Sequence, residues 1–257
     1  MSSLLVDNKV VLNDVSAVIF DKDGTLIDIH YYWASIIKIR ASLVAKTWFD
    51  KCERSQIEQY LMNIMGINLK TRKMKPDGPV GVMPRSYIVS IVANFVRQTN
   101  QEITNNDVEE LFQNVDQTSS REMSSFIKIL PGVEELLVKL KDCDIHSIIV
   151  STDITSRAQL AMESLKLDKY FSRIIGGDLA KKTKPEPDLA RLALRNLELN
   201  AENVAIVGDH PFDIIMGNSV NLGLNIGVLT GLSPSASKFN NLDCIVVDNL
   251  KHISVSC

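Results

Sequence analysis

Two aspartates, Asp21 and Asp23, stand two residues apart at the end of an apolar run, in Phe20-Asp21-Lys22-Asp23-Gly24-Thr25-Leu26. Each carboxylate loses hydration in such a place, and the two repel each other. A hard divalent cation relieves both costs, and magnesium takes oxygen ligands while keeping several waters. Gly24 lets the chain turn sharply out of the run. The same residues also suit an Asp-rich turn that caps the next segment. A second acidic pair, Asp209 and Asp213, follows the apolar run 204–207 in Val207-Gly208-Asp209-His210-Pro211-Phe212-Asp213. If both runs are strands of one parallel sheet, both acidic pairs meet at its C-terminal edge, where ligands bind. Four acids there without a cation would be badly destabilised.

Two further segments carry chemistry. The run 146–150 ends in Ser151-Thr152-Asp153. A hydroxyl and free backbone N–H groups there can hold a phosphoryl oxygen, or Ser151 and Thr152 can cap the following helix. Lys184 lies in Lys182-Thr183-Lys184-Pro185-Glu186-Pro187-Asp188, where Pro185 biases it towards an extended backbone. A lysine held beside acids and a phosphate would stabilise charge in a transition state. A solvated lysine ahead of a proline-initiated helix is the plainer alternative.

The elements that must position these residues follow from periodicity. Short β-branched runs at 15–20, 146–150, 173–175, 204–207, 224–229 and 244–247 suit strands buried on both faces of a parallel sheet. Helical patterns fill the intervals 131–142, 158–165 and 188–197, with Pro131 expected in a first helical turn. This predicts an α/β fold, a Rossmann-like doubly wound parallel sheet core with helices on both faces, formed by 1–28 and 127–257. The interval 29–126 has four helical stripes instead, built around Trp33 to Trp48, Ile57 to Ile64, Ile88 to Val96, and Val108 to Val115. It reads as an α-helical subdomain inserted after the first strand, with a Gly- and Pro-rich loop at 76–84.

With its four motif segments in this order, the chain resembles the haloacid dehalogenase-like hydrolase superfamily, and within it the phosphoglycolate-phosphatase-type branch. Motif one matches Asp21-Lys22-Asp23-Gly24-Thr25, motif two Ser151, motif three Lys184, and motif four Asp209 with Asp213. The insert resembles the family's α-helical type 1 cap. The resemblance implies a magnesium-dependent phosphatase acting on a small phosphorylated metabolite. Asp21 would be the nucleophile and form an aspartyl-phosphate. Asp23 would be the general acid and then the base. Ser151, the Thr152 N–H and Lys184 would bind the phosphoryl oxygens. Asp21, the Asp23 carbonyl and Asp209 would hold Mg2+, and Asp213 would act through water or orient Lys184. His210, after Asp209, and His30 depart from the residues common in the family, and Pro211 stiffens the loop after Asp209. Substrate choice would fall to the cap, with His30, Trp33 and the loop from Gly81 to Arg85 as candidates. Arg85 would take a second anionic group, or serve in a surface salt bridge. The basic run at 70–75 reads as a solvated loop or an anion-attracting rim.

Other readings are a phosphomutase using the same Asp pair and a non-catalytic binding protein on the same fold. A dehalogenase of this superfamily would lack Asp23, and a receiver domain would be about half this length. The chain has 257 residues, 45% hydrophobic and 23% charged, with a net charge of -3. No basic field points to nucleic acid or to a membrane surface as a partner. A monomer or homodimer in the cytoplasm is expected. The start lacks a signal-peptide pattern, and no apolar run approaches the ~20 residues of a membrane span. Cys52, Cys143, Cys244 and Cys257 are scattered without metal-site spacing and read as reduced, structural thiols.

Overall fold

The computed structural model describes residues 2–80, 83–99 and 102–257. Gly81, named above in the cap loop, lies outside the described residues. The chain divides into two compact units, one of Met1–Ile29 with Ile127–Cys257 and one of His30–Phe126. No helix among the described residues is long and apolar enough to cross a membrane.

The first unit is built on a parallel sheet. Its strands are β3 (Ala17–Phe20), β4 (His146–Val150), β5 (Phe171–Ile175), β6 (Val204–Gly208), β7 (Leu224–Val228) and β8 (Ile245–Val247), in spatial order β5-β4-β3-β6-β7-β8. All five pairings are parallel. Every residue of β3 and of β6 is buried, as expected of central strands covered on both faces. The crossover helices are α5 (Val133–Asp142), α6 (Thr155–Ser164), α7 (Asp188–Asn196) and α8 (Pro211–Asn218). Ile19, Ile148 and Ile206 of the strands pack with Leu189, Ala190 and Ala193 of α7 in one apolar cluster. Each fully buried Ile or Leu side chain there is worth roughly 1.5–3 kcal/mol over exposure.

The structure corrects the sequence reading at four points. The run ending at Phe20 is the third strand, because β1 (Ser3–Val6) and β2 (Lys9–Leu12) precede it. β1 pairs antiparallel with β2 on one side and with β9 (Ile253–Ser256) on the other, in a separate sheet of order β2-β1-β9. The strands are four residues long and their partner lies at the other end of the chain, so local pattern does not reveal them. Pro131 stands outside α5, whose N-cap is Gly132 at φ +87. A side chain there would strike the backbone at Leu250 and Lys251. Cys143 and Cys257 are joined in a disulfide, with Cα atoms 5.4 Å apart; Cys52 and Cys244 are free. Cys143 caps the end of α5, and Cys257 follows β9, which packs on α5.

The second unit contains α1 (Ile29–Trp48, which begins one residue before it), α2 (Arg54–Ile64), α3 (Arg85–Arg97) and α4 (Asn105–Arg121). Ile36, Ile37, Ala41 and Val44 of α1, Val92 and Val96 of α3, and Val108 and Phe112 of α4 are buried. Thr104 and Asp107 form a capping box at the start of α4.

Candidate active site

Asp21 is fixed where β3 ends: its N–H donates to the Val207 carbonyl of β6 at 2.9 Å. The chain then closes a tight turn. Leu26 and Ile27 donate to the Lys22 carbonyl, and Gly24 donates to that of Ile27. Gly24 takes φ +90, a region that favours glycine. Space demands glycine as well, because a Cβ there would lie 2.7–2.9 Å from the Asp209 carboxylate.

On the neighbouring strand, β6 ends at Gly208 and Asp209 follows. His210 caps α8, its ring nitrogen accepting from the Phe212 N–H at 3.2 Å. The Asp213 carboxylate in turn accepts from the His210 N–H at 3.0 Å. Pro211 sits at the first position of α8, where its missing N–H costs nothing. The cap thus turns the Asp213 side chain back to the end of β6.

Lys184 joins the two acidic pairs. Its ammonium lies 2.5 Å from Asp21 Oδ1 and 2.7 Å from Asp213 Oδ1, with its side chain only 4% exposed. The peptide bond that follows it, Lys184-Pro185, is cis. One carboxylate oxygen from each of Asp21, Asp209 and Asp213 lies within 4.8 Å of the others.

The charges there are strained against one another. Burial raises Asp21 to about 6, with Asp213 and Asp23 adding to the rise and Lys184 opposing it. Burial, then Asp21 and Asp213, push Asp209 well above the usual carboxylate range. Burial also works against the Lys184 ammonium, but Asp21 and Asp213 outweigh it and hold its pKa above the ordinary lysine value. The trio fits a divalent metal. It is a hard, all-oxygen donor set, and burial with mutual repulsion disfavours the charged forms of Asp21 and Asp209, a cost that a cation would remove.

Asp23 stands apart from this trio. Its Oδ2 is held by the Lys22 ammonium at 2.7 Å, while its Oδ1 is buried without a hydrogen-bond partner. Ser151 is buried at the end of β4, its N–H bonded to the Ile175 carbonyl and its Oγ accepting from the Asp153 N–H at 3.1 Å. Thr152 beside it is exposed. Neither residue caps α6. The N–H of its first residue is met instead by Asp178, which accepts from the Thr155 N–H and hydroxyl, both at 2.7 Å.

Asp21, Asp23, Ser151, Thr152, Lys184, Asp209 and Asp213 therefore all belong to the sheet unit. Its strands β3, β4 and β6 run parallel and end at one edge, where Lys184, from the loop before α7, meets Asp21 and Asp213. His30, Trp33 and Arg85 belong to the helical unit. His30 Nδ1 accepts from the Met74 N–H at 3.2 Å, and Trp33 meets Tyr32 edge-on at 5.1 Å. Arg85 takes up its salt-bridge alternative, with Nε 2.8 Å from Glu109 and Nη1 on Asp116, which also receives Arg40 at 2.8 Å.

Sequence reasoning missed three participants. Lys22 sits inside motif one and was passed over between its two acids. Thr230 and Gly231 follow β7. The Thr230 hydroxyl donates to the Gly24 carbonyl at 2.5 Å, and a Cβ on Gly231 would collide with the Asp209 carboxylate. The only signal for these was a Thr-Gly pair after a strand, which reads as an ordinary turn.

The family model of haloacid dehalogenase-like hydrolases matches residues 18–225. Pyrophosphatase PpaX of Oceanobacillus iheyensis is 24% identical over 208 residues, 81% of either chain. The phosphoglycolate phosphatase of Neisseria gonorrhoeae is 34% identical over 109 residues, but these span only 42% of this chain and 46% of that one. A solved subfamily IA hydrolase of the same superfamily from Geobacter sulfurreducens covers 93% of this chain and 94% of its own, with a TM-score of 0.63 at 15% identity, a likeness of fold. The match runs from β3 into β7 and takes in all four motif segments, so the chain belongs to the haloacid dehalogenase-like hydrolase family.

Proposed function

We propose that the protein is a magnesium-dependent phosphatase that hydrolyses a small phosphorylated metabolite through an aspartyl-phosphate on Asp21. One observation carries the reading: Asp21 ends a buried strand with a lysine on one oxygen, two more acids beside it, and a free Asp23 oxygen in the same turn. In this scheme an Asp21 oxygen attacks phosphorus, and the bond from phosphorus to the leaving oxygen breaks. Asp23 gives its proton to that oxygen. Asp23 then takes a proton from the attacking water, phosphate is released, and Asp21 is restored. Lys184 neutralises phosphoryl charge as it moves, while Ser151 and the Thr152 N–H hold the remaining oxygens. Asp21, Asp209 and the Asp23 carbonyl would hold Mg2+, with Asp213 orienting Lys184. The ion would supply charge stabilisation at the phosphoryl group and screen the carboxylates from it.

The relatives named above as a pyrophosphatase and a phosphoglycolate phosphatase support phosphate substrates. A substrate-selecting role for the helical unit rests on the family resemblance, with His30 and Trp33 as its candidates. Asp21→Asn tests the central claim. It should abolish magnesium-dependent hydrolysis of p-nitrophenyl phosphate in a protein whose circular dichroism is unchanged. A wild-type protein that hydrolyses no phosphate ester with magnesium overturns the reading.

A further inference from the structure

We propose that Lys22 is a positioning residue for proton delivery: its ammonium holds Asp23 by one oxygen so that the other faces the leaving group. The inference rests on the phosphatase reading and deepens it. Lys22 follows a fully buried strand, and its side chain is 5% exposed. A lysine there must be paired, because an unpaired buried ammonium costs several kcal/mol. Its ammonium lies 2.7 Å from Asp23 Oδ2 and 3.3 Å from Asp153 Oδ2. Asp153 is itself met by Arg157, one turn along α6, at 3.7 Å.

The four groups alternate in sign, in the order Arg157, Asp153, Lys22, Asp23. They tie the turn after β3 to the segment after β4. Asp153 lies two residues from Ser151 and donates its N–H to the Ser151 hydroxyl. The turn that carries the proton donor and the segment that would hold the phosphoryl oxygens are thus locked together through Lys22.

The consequence falls on one carboxylate. Asp23 has one oxygen occupied by Lys22 and one buried oxygen with no partner. A carboxylate gripped by one oxygen cannot swing, so the free oxygen keeps a single direction. Proton transfer demands such alignment, and misplacement by about 1 Å costs on the order of 100-fold. Lys22 needs no contact with the substrate to matter. Its effect passes through Asp23 and should depend on how much the leaving oxygen needs a proton.

That dependence separates positioning from a merely structural role. The test uses the full chain at saturating magnesium with p-nitrophenyl phosphate, phenyl phosphate and a simple alkyl phosphate, reading kcat/KM for each. Nitrophenolate departs almost unaided, whereas an alkoxide needs its proton. Lys22→Met should lose under about tenfold on the nitrophenyl ester and roughly 100-fold or more on the alkyl ester. Lys22→Arg keeps the charge and should restore most of the skewed loss. Asp153→Asn, which leaves Lys22 in place but removes its second anchor, should show the same skew in weaker form; it carries the test if Lys22→Met does not fold. Equal losses across the series, or no loss, in an active protein overturn the inference alone. A wild type inactive on every ester overturns the phosphatase reading and this inference with it.

Discussion

Lys184 shows how one residue sets the balance of a site. Its ammonium is buried and touches Asp21 and Asp213, so it offsets part of the charge that the acids carry into the core. Removing it leaves two buried carboxylates facing each other with less compensation. Lys184→Met should therefore lower kcat by roughly 100- to 1,000-fold, the usual cost of losing a preorganised charge-stabilising group. Asp213→Asn should reproduce part of that loss by freeing Lys184, with KM changing less than kcat; steady-state kinetics on an aryl phosphate read both. The acids also predict a pH dependence. Asp21 has its folded pKa raised from 3.8 to about 6, so the folded chain binds that proton more tightly than the unfolded one. For a raised carboxylate, the stability that Asp21 contributes to the metal-free protein should be lost as pH rises from about 4 to about 6. Asp209, also raised, acts in the same direction. The proposed magnesium ion would bind the ionised form, so its stabilisation should grow over the same window. Thermal melts across pH, with and without magnesium, measure both; a gain in metal-free stability between pH 4 and 6 would contradict the site's electrostatics.

At the scale of the element, the site depends on turns as much as on strands. The loop after β7 brings Gly231 against Asp209, and Gly24 of the motif-one turn lies against the same carboxylate. Thr230 fastens the two turns through its bond to the Gly24 carbonyl. Two glycines therefore set the position of a proposed metal ligand. Gly231→Ala should push the Asp209 carboxylate aside and raise the magnesium concentration for half-maximal activity at least about tenfold. Thr230→Val should give a smaller rise, since it frees the turn without filling the space. The strands that carry the site were legible because each is a short β-branched run closed by a chemical residue: Asp21 after β3, Ser151 after β4, Asp209 after β6. The turns were not, because close approach between Gly231 and Asp209 is a property of the fold and leaves no local periodicity. Lys22 was hidden for another reason. A lysine between two aspartates reads as solvated charge until the burial of the strand before it is known.

At the scale of the molecule, the N- and C-terminal strands meet in one small sheet, and the disulfide fastens that sheet to α5. The four cysteines read as free thiols because 114 residues separate Cys143 from Cys257, and no spacing rule links such distant positions. Only the pairing of β1 with β9, and the packing of β9 on α5, brings the two sulfurs together. With that pair joined, the cysteine pattern no longer argues for a reducing compartment. A closed loop of this length restricts the unfolded chain strongly, and a native disulfide typically contributes about 2–4 kcal/mol. For a chain of this size that corresponds to roughly 5–15 °C in melting temperature. Reductant should lower the melting temperature of the wild type by that amount and leave Cys257→Ser unmoved at the lower value. Thiol titration of the unfolded, unreduced protein should count two thiols, those of Cys52 and Cys244. A count of four, with melting indifferent to reductant, would show that the termini are held by the β1–β9 pairing alone.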